Sequence, residues 1–272
     1  MQGRFSPLLD GRIQAFPVET WREEFLAADE SGFHLMEWTL DYEGLYENPL
    51  MTVEGRATIA ALSAQHRVLI PSLTGDCFMQ RPFWKMEMPA KKELQADFDA
   101  IVRACASTGI AFVVVPLVDH GKLDSGSQEA DLLDFLVSRC DSLKTSGVKV
   151  LFESDMDPAQ LGAFIAKLDR DAFGINYDLG NSASLGYDPF EEMASYGHRV
   201  ANVHVKDRKR GGTTVPLGMG DVDFPRAFSA LARAGYSGNY ILQTARAADE
   251  NHDSVLCMYR DMTFDWVTES GA

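Results

Sequence analysis

Short β-branched runs alternate with amphipathic helical segments along this chain, and that rhythm constrains the fold more than any other feature. "FHLMEWTLD" (33–41), "RVLIPSLTG" (67–75), "IAFVVVPLVD" (110–119) and "VKVLFESD" (148–155) read as strands. So do "FGINYDLGNSA" (173–183, strand then loop), "RVANVHVKDR" (199–208) and "GNYILQT" (238–244). Between them lie segments of helical periodicity, such as "KKELQADFDAIVRACASTG" (91–109) and "SQEADLLDFLVSRCDSLKTSG" (127–147), each stopped by a glycine. Two helices open with the same device, Asp157 and Asp188 as N-caps with a proline at the first helical position. Strands alternating with helices make βαβ units and a parallel sheet. The strands read as apolar on both faces, as strands covered by helices must be. "MQGR" at the start fits the end of an eighth strand. Eight units in 272 residues are about 34 residues each, the size of one βα repeat. The expected fold is therefore α/β, a (β/α)8 TIM barrel forming a single domain over residues 1–272. An open doubly wound sheet is the runner-up, but no GxGxxG follows any strand.

Charge and cysteine usage narrow the function classes. The formal net charge is −15 and the pI about 4.8, which argues against a nucleic-acid groove. No run approaches the roughly 18 apolar residues of a membrane span. Cys77, Cys105, Cys140 and Cys257 are scattered without a CxxC, so they read as reduced thiols, with Cys105 and Cys140 expected in the core. The expectation is a cytoplasmic protein acting on a small molecule, with no nucleic acid and no membrane, and compatible with a homo-oligomer.

The strand ends carry the chemistry. In a barrel the C-terminal ends of all strands converge on one face, where active sites lie. Glu37 and Trp38 stand at one such end, Asp119 and His120 at another. Glu153, Asp178, His204 and Gln243 then fall on four consecutive strands. Each alone has a plain structural reading: an ion-pair partner, a loop cap, a satisfied core histidine, a hydrogen-bonding amide. Together they gather two carboxylates, an imidazole and an amide, and carboxylates brought that close need a cation or a proton between them. Oxygen-rich ligation with one imidazole suits Mn²⁺, Mg²⁺, Co²⁺ or Zn²⁺. Arg208 in "KDRKRGG" and Arg246 in "QTAR" follow the last two strands, where barrel phosphate sites are often built, and either can grip phosphate or carboxylate bidentately. Phe78, Phe83 and Trp84 in "GDCFMQRPFWK" suit a wall over a ligand, a subunit contact or plain packing.

"LFESD", "INYDLGN", "NVHVKDR", "VPLGMGDVDF" and "YILQTAR", in this order, resemble the sugar-phosphate isomerase/epimerase superfamily of xylose isomerase-like barrels. That group includes tagatose epimerase, hydroxypyruvate isomerase and ribulose-phosphate 3-epimerases. The resemblance spans nearly the whole chain. It implies a divalent metal held by Glu153, Asp178 and His204, and proton transfer beside a carbonyl through an enediolate with Glu153 as base. The fourth ligand position falls on Gln243, where the better-known epimerases have Glu. Gln243 can ligate through its oxygen but accepts no proton, so a second acid/base is sought among Lys206, Glu37, Asp155 and His120. Asn181 stands where some epimerases carry histidine and is expected, with Arg208, Arg246, Glu37 and His120, to contact substrate. The resulting expectation is a metal-dependent isomerase or epimerase of a ketose or ketose phosphate. The alternatives are a lyase or dehydratase on a keto sugar or sugar acid, which needs one base, and a non-catalytic sugar-binding barrel. A nuclease would want more than six histidines and a basic face.

Overall fold

The computed structural model describes residues 1–2, 5–7 and 15–271. Seven strands form one parallel sheet: β1 (Leu35–Thr39), β2 (Leu69–Thr74), β3 (Phe112–Leu117), β4 (Lys149–Ser154), β5 (Phe173–Asp178), β6 (Val200–Val205) and β9 (Asn239–Leu242). They are hydrogen-bonded in sequence order, with helices between them. A small antiparallel ribbon, β7 (Asp207–Arg208) with β8 (Thr214–Val215), stands after β6. The eighth place is taken by the start of the chain. The Glu37 amide donates to Met1 O at 2.8 Å, the Met1 amino group to Leu35 O at 2.9 Å, and the Gln2 amide to Leu242 O at 3.2 Å. Met1 and Gln2 thus bridge β1 and β9, and the rest of "MQGR" lies outside the described residues.

The helix signals act as their chemistry predicts. Asp157 accepts from Gln160 N at 2.9 Å, and Asp188 accepts from Phe190 N at 2.9 Å and Glu191 N at 3.3 Å, each ahead of a proline. Asp223 caps likewise, accepting from Arg226 N at 3.1 Å, with its proline at the second helical position. One helix departs from expectation: Leu179–Leu185 is helical where a loop was expected, because Asp178 caps it by accepting from Asn181 N at 2.8 Å.

The reading of apolar strands on both faces needs correction. It holds for β3, whose Val113, Val114 and Val115 are all buried. On β5 and β6, polar residues recur at a period of two, Asn176 and Asp178, then Asn202 and His204. These face the barrel interior, where they satisfy one another; Tyr177, Val203 and Val205 take the opposite face. The apolar core lies between sheet and helices, as where Phe152 meets Phe164 edge-on at 5.2 Å. Phe78, Phe83 and Trp84 belong to this packing: Phe83 sits 4.6 Å from Phe135, and Trp84 Nε1 donates to Gly121 O at 3.1 Å. All four cysteines are free thiols, and Cys140 is only half-buried rather than a core residue.

Candidate active site and metal centre

Pairing register brings the strand-end residues together. Asp178 stands opposite His204, and Glu153 lies at the end of β4 opposite Pro116. Ligand atoms of Glu153, Asp178 and His204 all lie within 4.8 Å of one another, and all three residues are buried. His204 Nδ1 is 3.2 Å from Glu153 Oε2 and 3.8 Å from Asp178 Oδ2. The other ring nitrogen, Nε2, lies 2.8 Å from Glu37 Oε1. That approach is off the line of a well-aligned N–H bond, so it is a charge contact more than a directed hydrogen bond.

A polar layer holds this group from below. Glu37 accepts from Ser72 Oγ and Thr74 Oγ1, both at 2.7 Å, and from Asn202 Nδ2 at 3.2 Å. Asn202 Nδ2 also donates to Asn176 Oδ1 at 2.8 Å, and Asn176 Nδ2 donates to Glu153 Oε2 at 2.9 Å. Glu153 Oε1 accepts from Asn181 Nδ2 at 2.7 Å. Both oxygens of Glu153 are therefore oriented by asparagine amides. Ser72, Thr74, Asn176 and Asn202 escaped the sequence reading. The signal for the asparagines was present: each stands two residues before a candidate ligand, on the same face of its strand.

The charges are tightly coupled. Burial alone would raise the Asp178 carboxyl, but the Lys206 charge and the His204 contacts outweigh it and hold it down at about 2. Burial also works against the Glu37 anion, yet His204, Ser72 and Thr74 lower it. For His204, burial disfavours the imidazolium, and the charge of Glu37 with the Asp178 and Glu153 contacts drives its proton affinity well above the ordinary range. Lys206 Nζ donates to Asp178 Oδ2 at 3.1 Å and to Gln243 Oε1 at 2.6 Å.

A cavity of about 360 Å³ opens above, lined by Glu153, Asp155, Asn181, Lys206, Arg208 and Gln243 among others. Arg208 Nη1 donates to Asn181 Oδ1 at 2.7 Å, and its Nε and Nη2 donate to Gly212 O at 3.1 and 2.6 Å. The structure thus gathers most of the expected site residues. Glu37 sits beneath them, fully enclosed, against the histidine rather than the cavity. His120 is exposed on the turn Asp119–Gly121, and only its neighbour Asp119 lines the cavity. Arg246 Nε donates to Ser6 O at 2.7 Å, its charge acts on the buried carboxylate of Glu24, and it is not among the residues that line the cavity.

The donor set fits a divalent ion. Two buried carboxylates and an imidazole nitrogen share one small space, and the far ring nitrogen meets a carboxylate, the outer-shell arrangement common for metal-binding histidines.

The family description "Xylose isomerase-like TIM barrel" matches residues 25–260. The chain is 38 % identical over 259 residues to the L-ribulose-5-phosphate 3-epimerase UlaE of Salmonella typhi, covering 91 % of this chain and 90 % of that protein. Among solved structures it is similar to the D-allulose 3-epimerase of Methylomonas sp., with TM-score 0.76, 14 % identity, and 93 % of each chain covered. It is also similar to a xylose isomerase-like TIM barrel protein of Mycobacterium smegmatis in complex with magnesium, with TM-score 0.71, 18 % identity, and 96 % of this chain and 92 % of that one covered. Strand order, the polar mouth and the family match agree, and the chain belongs to the xylose isomerase-like TIM barrel family.

Proposed function

We propose that this chain is a divalent-metal-dependent isomerase or epimerase of a ketose or ketose phosphate, working through an enediolate. The observation that carries this reading is the meeting of Glu153, Asp178 and His204 beside a cavity that also presents Lys206 and Arg208. The 38 % identical relative, named for a 3-epimerase of L-ribulose 5-phosphate, makes a ketose phosphate the leading substrate class. Mn²⁺, Mg²⁺, Co²⁺ or Zn²⁺ would be held by Glu153, Asp178 and His204, with the Gln243 amide oxygen as the fourth candidate. When bound, the ion supplies Lewis acidity that stabilises charge developing on the substrate carbonyl. Glu153, held at both oxygens, removes the proton beside that carbonyl. Gln243 cannot take a proton, and its oxygen orients the Lys206 ammonium instead. Lys206, lining the cavity, is the second group placed to carry a proton. Arg208 serves the anionic end of the substrate.

A second reading, a dehydratase or lyase, draws on the same Lys206. An ammonium poised in the cavity can protonate a departing hydroxyl, and such a reaction needs one base only. Deuterium uptake from D₂O, followed by NMR on L-ribulose 5-phosphate and a panel of free ketoses, separates the two. Exchange beside the carbonyl with an epimeric or isomeric product supports the first; loss of water supports the second. Elemental analysis should find about one equivalent of divalent metal, mostly lost in His204→Ala. Glu153→Gln should slow exchange by ~10²–10⁴, with metal content measured alongside. A Glu153→Ala/His204→Ala double variant that keeps full metal, or a wild type without exchange on any ketose, would sink the reading.

A further inference from the structure

Asn181 sits between the two ends of the site. Its Nδ2 donates to Glu153 Oε1 at 2.7 Å, its Oδ1 accepts from Arg208 Nη1 at 2.7 Å, and its backbone amide is fixed on Asp178 Oδ1 at 2.8 Å. The orientation of the amide is unambiguous, since guanidinium offers only donors and a carboxylate only acceptors. One planar group therefore links the arginine of the ribbon β7–β8 to the carboxylate at the end of β4. Asn181 is buried, as are Glu153 and Asp178, so the chain runs through low dielectric, where linked hydrogen bonds reinforce one another. The Arg208 guanidinium reaches the barrel through Asn181, and its Nε and Nη2 go to Gly212 of its own loop. Whatever steadies Arg208 steadies the amide, and through it the carboxylate.

Resting on the ketose-phosphate reading above, we propose that Asn181 is a positioning residue that couples capture of the substrate phosphate at Arg208 to the placement of Glu153. The phosphate then does more than add affinity: by immobilising Arg208 it holds Glu153 in line with the proton to be removed. Misplacement of a reacting group by about 1 Å can cost ~10²-fold in rate, enough for such coupling to be measured.

The test separates the phosphate from the reacting carbons. Wild type is given L-ribulose in D₂O, with and without phosphite dianion, and the exchange rate is read by NMR. Phosphite should stimulate exchange at least ~10-fold, the range that ordering a base can supply. In Asn181→Ala and in the isosteric Asn181→Asp, which keeps an acceptor for Arg208 but no donor for Glu153, stimulation should fall to under about 2-fold. Phosphite should still bind both variants by calorimetry. On L-ribulose 5-phosphate both should lose kcat more than KM, whereas Arg208→Ala should raise KM, and the losses in kcat of Asn181→Ala and Arg208→Ala should not add in the double variant. Melting temperature and metal content serve as folding controls. Full stimulation in either variant, or loss of phosphite binding with Asn181→Ala, overturns the coupling. A wild type that turns over the ketose phosphate but ignores phosphite also overturns it, leaving the function reading intact. A wild type inactive on the ketose phosphate fails both.

Discussion

At the residue scale, Glu37 shows how a polar strand end can serve a site without touching substrate. It was expected among the substrate contacts, yet it is wholly enclosed and its partners are Ser72, Thr74, Asn202 and His204. A buried carboxylate must be held by hydrogen bonds or paired with charge, and Glu37 has both. Its charge behind the histidine favours a proton on the near nitrogen, Nε2, and leaves Nδ1 toward Glu153 and Asp178. Glu37→Gln keeps the shape and removes the charge, so metal affinity should fall roughly 10–100-fold. Competition with a chelator of known affinity measures this directly; unchanged affinity would mean that the contact at 2.8 Å does not tune the ligand.

At the element scale, the ribbon β7–β8 and the turn after it are organised by one side chain. Asp207, fully buried, accepts from Gly218 N at 2.9 Å, Gly220 N at 2.8 Å and Val222 N at 3.2 Å. The "PLGMGD" stretch is thus wrapped on a carboxylate next to the arginine of the site. A methyl group at Gly220 would stand 1.9 Å from Asp207 Oδ1 and 2.8 Å from Arg208 O, so only glycine fits. Gly220→Ala should cost roughly 1–3 kcal/mol of stability by overpacking, and should weaken phosphate-substrate binding by moving Arg208. Denaturant melts and KM read the two effects, and a neutral outcome in both would show that the turn yields freely. Sequence patterning could find this stretch but not its anchor, because nothing in "KDR" says that Asp207 faces inward to backbone amides. The helix Leu179–Leu185 was hidden for a related reason. "LGNS" is poor in helix formers, and the helix exists because Asp178 caps it and because Gly180 lets it close on the Lys206 stem, where a Cβ would come within 2.8 Å of Cγ.

At the scale of the whole molecule, the barrel was readable because short apolar runs such as β3 alternate with helices marked by a cap or a glycine stop, as Asp157 and Asp188 open theirs and Gly109 and Gly147 close theirs. Closure was less so: two residues, Met1 and Gln2, leave too short a pattern, and only their bonds to Leu35, Glu37 and Leu242 show their place. The ligand residues were readable from convergence of strand ends; the amides beneath them, Asn176 and Asn202, were signalled only by their period-two spacing before Asp178 and His204, since an Asn carries no charge signal. The outer layer holds a further buried acid that patterning missed. Glu192, on the helix Pro189–Tyr196, is enclosed and accepts from Tyr177 Oη and Tyr196 Oη, both at 2.7 Å, and from Ser182 Oγ. Burial raises its carboxyl above the ordinary range; the three hydroxyls pull the other way without cancelling it, and nearby Asp188 adds to the rise. Burial, first of all, also pushes the Tyr177 and Tyr196 hydroxyls up, so both stay protonated. The sign follows from linkage: the folded state binds the Glu192 proton more tightly than the unfolded chain. Its contribution to stability is then full below the unfolded value of about 4.3 and is lost as pH rises through the folded one. Glu192→Gln removes that dependence while keeping one oxygen acceptor. Denaturant midpoints taken from about pH 4 to pH 8 should therefore shift in the variant's favour relative to wild type as pH rises. A difference that stays constant across the series would show that the carboxylate titrates alike folded and unfolded, and that its three hydroxyl bonds fully offset its burial.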